Sequence, residues 1–485
     1  KMILAMQHGQ LPPTLLTGEP SRFVNWSSEH IKLLLQSHSW ENSGRPRRAG
    51  VSAFGVSGTN AHLILEEPPA PISTGLAEKP GPGGAASPLL LSGRDGAALR
   101  AHAGRLAKHL RDHPEANLQN VAFTLGRHRS HLAQRAAVFA ESPAQAVASL
   151  HALAQGVPDQ YCIQAQAVVG SGVVFVFPGQ GSQWPGMARA LYRQLPVFAA
   201  ALDDIATALR PHTDWSLHDV LLAEEAAQQK FFERVDIVQP VLFSIAVALA
   251  RVWQWMGIEP AAVVGHSQGE IAAACVAEIL TLAEAAQVVA LRSRLLHTRR
   301  CTGATAIVSL PLEQVQQRLE RFLPRLSVAA INTPSSIAVA GEPAAVAELL
   351  SELQAAGVFC RQVAVPYAAH SAQVDLVLPE LVEALRGLRP QRSKVPMIST
   401  LDGKKIVGSE LTGHYWARNL REPALLAAAE RPGLRTSTNL VCLGNAQSAP
   451  SAGRVGYPRS GRCRPSPGPP SAVSAVASTV SPGAR

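Results

Sequence analysis

At 485 residues the chain is long enough for two or three domains with sizeable cores, and its 47% apolar, 16% charged make-up is that of a globular, Ala/Leu-rich protein. The net charge of +9 does not mark a nucleic-acid binder, because seven arginines and no acid lie from Arg431 onward, leaving residues 1–430 about +2 with no basic stripe interleaved with aromatics. Six cysteines without CxxC or zinc spacing read as reduced thiols, the apolar start at residues 2–6 is too short for a signal segment, and the longest apolar stretch, 241–250, is half a membrane span. These features predict a cytoplasmic protein with neither a nucleic-acid nor a membrane partner.

In chain order, residues 1–67 open inside a helix and carry a strand, a glycine-hinged turn and a second strand over Val51-Ser52-Ala53-Phe54-Gly55-Val56-Ser57-Gly58-Thr59-Asn60-Ala61-His62-Leu63-Ile64-Leu65. This segment resembles the C-terminal signature of a ketosynthase, the condensing domain of modular polyketide synthases. The resemblance implies a thiolase-fold remnant without its nucleophilic cysteine and catalytic histidines, in which His62 is a buried histidine with no task. Residues 68–87, rich in Pro and Gly, read as a linker. Over 88–160, Leu99, Ala103, Leu106 and Leu110 form a helical stripe, a strand is predicted near 136–140, and Ser142-Pro143 opens a helix over 144–153. That is a small α/β unit; in polyketide synthases such a piece is an adaptor between the ketosynthase and the next domain.

From residue 161 to 429 the pattern carries chemistry. Val173-Val174-Phe175-Val176-Phe177 suits a buried parallel strand and leads into Pro178-Gly179-Gln180-Gly181-Ser182-Gln183, which lacks the spacing and lysine of a nucleotide loop. Its main-chain N–H groups are better suited to developing negative charge. A second apolar run ends in Gly265-His266-Ser267-Gln268-Gly269, a strand-to-helix elbow that holds a serine hydroxyl at the top of a sheet. Residues 304–365 then read strand, helix, strand, strand, helix, strand, the βαββαβ order of a ferredoxin-like unit, and deliver Tyr367-Ala368-Ala369-His370. A further helix (376–385), a strand (395–401) and Tyr415-Trp416-Ala417-Arg418-Asn419-Leu420-Arg421-Glu422-Pro423 follow. Over 446–485 half of the residues are Ser, Pro or Gly, so 430–485 is predicted disordered.

Together, FPGQGSQ, GHSQG, the YxxH after the insertion and YWxxNLRxP resemble the acyltransferase domain of type I polyketide synthases over roughly residues 88–428. The resemblance implies an α/β, hydrolase-like parallel-sheet core with an inserted ferredoxin-like subdomain. It implies Ser267 as nucleophile, His370 as base in a Ser–His dyad, and the main-chain N–H groups of Gln180 and Gln268 as the oxyanion hole. Arg292 would grip the free carboxylate of a malonyl-type group, with Gln239, Asn332 and Tyr367 as further substrate-binding candidates; His266 is expected to pack under the turn. Gln268, the RVDxVQP-like segment and Ala369 beside the histidine resemble the methylmalonyl-selecting pattern, with leakage to malonyl. The implied reaction moves the acyl group from CoA to the phosphopantetheine thiol of an acyl carrier protein, with other synthase domains as partners and no bound cofactor or metal. The alternatives are a serine esterase using the same elbow and a non-catalytic scaffold fragment. In the family a closing helix and strand follow, with a carbonyl that orients the histidine; 430–485 shows neither. The expectation is therefore a truncated, off-family end, His370 without that carbonyl, and a core short of one layer.

Overall fold

The computed structural model describes residues 1–68, 88–167, 172–429 and 439–443, apart from 16–17, 29, 42–43, 182, 364 and 366. Of the linker expected over 68–87, residues 69–87 lie outside the described residues, as do 430–438 and 444–485. The chain divides into two compact units, Lys1–Gly81 and Pro82–Arg485.

In the first unit, Arg48–Phe54 pairs antiparallel with Asn60–Glu66 in unbroken register from Arg48↔Glu66 to Phe54↔Asn60. The turn closes through the Gly55 N–H on the Thr59 carbonyl (2.8 Å), and Gly58 takes a φ of +84° that disfavours a side chain. His62 is not buried: it is exposed on the hairpin, with Nδ1 2.7 Å from Ser52 Oγ. The strand's alternation put the imidazole on one face of the sheet, and that face is open to solvent here.

The second unit begins with a three-stranded antiparallel sheet, Leu89–Gly93, Gln134–Val138 and Cys162–Gln166 in that spatial order. Helices Gly96–Asp112 and Pro143–Gln155 pack on it, burying Leu99, Ala103, Leu106 and Leu110 from one and Leu150 and Leu153 from the other. Each fully buried leucine stabilises this small core by about 1.5–3 kcal/mol. Ser142 Oγ accepts from the Gln145 N–H, and Pro143 supplies the first helical φ.

The main sheet has five strands, in the order Lys404–Ile406, Met397–Ser399, Pro260–Gly265, Val173–Phe177, Asn439–Cys442. All run parallel except the 404–406 edge strand. The pairing of Phe177 with Gly265 brings the carboxyl ends of the two central strands level, so the loops leaving them emerge side by side. Helix Val235–Trp255 is long and apolar enough to cross a membrane, but 94% of its apolar window is buried within the protein as the core helix.

Between residues 304 and 363 lies a four-stranded antiparallel sheet in the order Leu326–Thr333, Ser336–Gly341, Ala304–Val308, Cys360–Val363. It carries helices Leu312–Leu319 and Pro343–Ala355. Its edge strand binds the segment after Glu422: the Ile331 N–H donates to the Ala424 carbonyl (2.8 Å), and the Ala424 N–H to the Ala329 carbonyl (2.9 Å).

The expected disordered, off-family end is corrected over 439–443. Asn439–Cys442 is the strand that flanks Val173–Phe177, and the Leu443 side chain is buried in the core. Four residues of strand are hidden, in composition, by the long Ser/Pro/Gly/Arg-rich stretch around them.

Candidate active site

The elbow is built by sterics. A Cβ on Gly265 would sit inside 3.0 Å of the Glu270 main-chain N, and one on Gly269 inside 3.0 Å of the Phe177 carbonyl oxygen, so both positions require glycine. Between them Ser267 takes a φ of +56°, a strained conformation for a side-chain-bearing residue. Helix Gly269–Val276 starts directly behind it and turns its free N–H end toward the serine.

Ser267 Oγ lies 2.7 Å from His370 Nε2. His370 also has a positive φ (+62°), its N–H donates to the Leu420 carbonyl (2.9 Å), and its Nδ1 lies 2.6 Å from the Glu422 carbonyl oxygen. A carbonyl only accepts, so Nδ1 carries the proton and Nε2 is left as an acceptor facing the serine. The orienting carbonyl is therefore not missing: Glu422 supplies it, held by the pairing of Ala424 with the inserted sheet. Burial, reinforced by the positive charge of Arg292 and opposed by the Glu422 carbonyl, pushes His370 down to about 3, so the imidazole is neutral at physiological pH.

His266, next to the serine, points elsewhere: its Nε2 lies 2.9 Å from Asn332 Oδ1, and burial lowers its basicity. Asn332 is thus the partner of His266. Gly179 comes so close to His266 that a Cβ there would stand 3.1 Å from its Nδ1, which seats the glycine-rich loop against the elbow. The side chain of the next residue, Gln180, accepts from Tyr367 OH (2.7 Å) and more weakly from Gln239 Nε2 (3.4 Å). Gln239 Nε2 also donates to Tyr367 OH (2.5 Å). Three distant segments are tied here, and burial raises the Tyr367 hydroxyl to about 12, keeping it protonated.

Arg292, on helix Leu282–Thr298, is 1% exposed, whereas Arg294, two residues on, is exposed. Its Nη1 donates to Asn419 Oδ1 (2.6 Å), and its Nε is buried with no partner. Burial lowers it to about 10, which leaves it charged at neutral pH. Gln239 Oε1 and Gln268 Oε1 are likewise buried without partners, so three unsatisfied polar atoms belong to residues of this one site. Among the described residues no group of three His, Cys, Asp or Glu is disposed to hold a metal ion.

The contacts of two buried polar residues, Glu270 and Asn419, escaped the motif reading. Glu270 is fully buried and accepts from the Thr400 N–H, Thr400 Oγ1 (2.8 Å), Tyr415 OH (2.6 Å) and Asn419 Nδ2 (3.1 Å). Burial raises its carboxyl from the ordinary range, opposed by hydrogen bonds from Tyr415, from the side chain and main chain of Thr400, and from the Leu401 main chain. Asn419 was legible only as part of YWxxN; its contacts lie 127 and 149 residues away along the chain, beyond any local signal.

Residues 174–443, more than half of the chain, match the acyl transferase domain family, and residues 87–150 match a family described as CurL-like, PKS C-terminal. The spectinabilin polyketide synthase system protein NorA' of Streptomyces orinoci is 44% identical over 89% of this chain, and erythronolide synthase EryA3 of Saccharopolyspora erythraea is 43% identical over 89%. The chain spans only 12% and 13% of the length of those two relatives. Among solved structures, the acyltransferase domain from module 8 of the salinomycin polyketide synthase superposes with a TM-score of 0.69 at 42% identity, covering 72% of this chain and 83% of that one. The acyltransferase domain of SpnD, in complex with 2-(pent-4-yn-1-yl)malonyl, gives a TM-score of 0.65 at 32% identity, covering 75% of this chain and 86% of that one. The chain belongs to the acyltransferase domains of modular type I polyketide synthases, and it is a transferase.

Proposed function

We propose that this acyltransferase moves a methylmalonyl group, and less selectively malonyl, from CoA to the phosphopantetheine thiol of an acyl carrier protein through an ester on Ser267. The observation that carries the reading is the 2.7 Å contact of Ser267 Oγ with a His370 whose other nitrogen is bound to the Glu422 carbonyl. His370 Nε2 takes the hydroxyl proton as Oγ attacks the thioester carbonyl. The tetrahedral oxyanion accepts hydrogen bonds from the main-chain N–H groups of Gln180 and Gln268, and its collapse expels the CoA thiolate, which leaves with the proton from His370. The carrier thiol then gives its proton to His370 and attacks the ester, and the Ser267 alkoxide recovers that proton. Arg292 pairs the free carboxylate of the acyl group, supported by its burial and its unpartnered Nε. Gln239 and Tyr367 act on the substrate through Gln180, which they anchor. Asn332 serves through His266.

The same reading treats residues 304–365 as a ferredoxin-like subdomain, on the strength of its strand order, with 88–160 as the adaptor and 1–67 as the end of a thiolase-fold ketosynthase. Other synthase domains and the carrier protein would be its partners in the cytoplasm. Intact-mass measurement after incubation with methylmalonyl-CoA tests the chemistry: a stable adduct absent from Ser267→Ala supports it. Hydrolysis of the acyl-CoA without carrier loading would point to an esterase, and no adduct to a scaffold.

A further inference from the structure

The charge arrangement around Arg292 is unusual for a buried arginine. A guanidinium taken out of water is normally matched by a carboxylate in direct, often bidentate contact. Here no ion pair among the described residues involves Arg292; its partner is the neutral carbonyl oxygen of Asn419, and its Nε has none. Yet a fully buried carboxylate, Glu270, sits on the far side of the same amide, 3.1 Å from Asn419 Nδ2. The orientation of that amide is dictated by its neighbours. Arg292 only donates, so the amide oxygen faces it, and the NH2 faces Glu270 and the Ser267 carbonyl oxygen (3.3 Å).

We propose that Asn419 is a positioning and selectivity residue, a neutral spacer that keeps the Glu270 carboxylate one residue away from Arg292, so that the guanidinium fork stays open to a carboxylate on the incoming acyl group. This rests on the reading of Arg292 as the carboxylate grip. Were Glu270 in direct contact, it would occupy the fork, and a carboxylated donor would have to displace an internal anion. With the spacer in place the countercharge remains close enough to favour the buried cation, and the fork is completed only by the substrate.

The test is the double variant E270Q/N419D. It keeps one carboxylate and nearly the same shapes, but moves the charge into contact with Arg292. The donors stay served: the new amide at 270 can accept from Thr400 and donate to the new carboxylate, while Tyr415 OH turns to Ser399 Oγ, 2.7 Å away. Steady-state transfer is measured with methylmalonyl-CoA and with propionyl-CoA, alongside thermal unfolding, and Arg292→Leu is the reference. We expect the methylmalonyl-CoA KM to rise about tenfold or more while kcat/KM for propionyl-CoA stays within about threefold. An unchanged methylmalonyl-CoA KM overturns the inference, as does an equal loss for both donors, which would mark a merely structural role. If Arg292→Leu abolishes the preference for the carboxylated donor while the double variant does not, the reading of Arg292 stands and the spacer falls. If Arg292→Leu keeps that preference, both fall. Should the double variant not fold, Asn419→Ser removes the spacing amide and lets the guanidinium swing toward Glu270. The same selective rise in KM is then expected, and its absence overturns the proposal.

Discussion

The depressed basicity of His370 makes a prediction that separates it from an ordinary histidine. Burial, with the charge of Arg292, takes it from 6.5 to about 3. An unperturbed imidazole would be only about one-eleventh neutral at about pH 5.5, so an enzyme depending on it would lose roughly tenfold in acylation rate between about pH 8 and 5.5. With the depressed value His370 stays neutral throughout, and kcat/KM should be nearly flat across that window. Stability moves the other way. Because the folded value lies below the unfolded one, the unfolded chain binds the proton more readily. The contribution of the neutral, buried ring is therefore full above pH 6.5 and is lost as pH falls toward about 3. At about pH 5 the loss from this group is on the order of 2 kcal/mol. Quenched-flow acylation with mass detection, paired with denaturant unfolding at each pH, measures both. A kcat/KM profile that falls tenfold with an apparent value near 6.5 would refute the burial argument. The role of Arg292 is read in the same assay: in Arg292→Leu, turning over a non-carboxylated acyl-CoA, the acid limb should move upward toward 6.5.

Gly269→Ala drives a Cβ into the Phe177 carbonyl, a backbone atom that cannot yield without parting the two central strands, so a loss of at least about 3 kcal/mol is expected in chemical denaturation. Tyr367→Phe leaves the Gln180 and Gln239 amides without their shared hydroxyl, which costs about 1–3 kcal/mol. The acylation rate should fall with it, while a variant that loses stability but acylates at the normal rate would show that the anchor does not reach the oxyanion donors. Ala369→Phe places a bulky ring in the residue before His370 and should shift the malonyl-to-methylmalonyl ratio of kcat/KM toward malonyl by about 10- to 200-fold, read by competition between the two CoA esters.

Much of this protein is written locally. The glycine positions of GHSQG follow from the two backbone approaches at 265 and 269, and the buried faces of helices 96–112 and 143–155 follow from their 3.6-residue periodicity. The run Val173–Phe177 declares a buried strand for the same reason: only a strand covered on both faces tolerates continuous apolar residues. The motifs also named Ser267 and His370 together, although nothing local joins residues 103 positions apart.

Tertiary structure alone decided what those residues meet. The carbonyl on His370 comes from Glu422 because Ala424 pairs with the inserted sheet, and main-chain acceptors leave no mark in a residue pattern. The strand at 439–442 was invisible because four ordinary residues cannot outweigh the composition around them; its identity comes from the open edge of Val173–Phe177 that it fills. The burial of Arg292 and Glu270, and the amide between them, depend on packing among helices 282–298, 269–276 and 413–421. A charged side chain reads the same in sequence whether it faces water or sits in the core, so only the fold reveals which charges are buried.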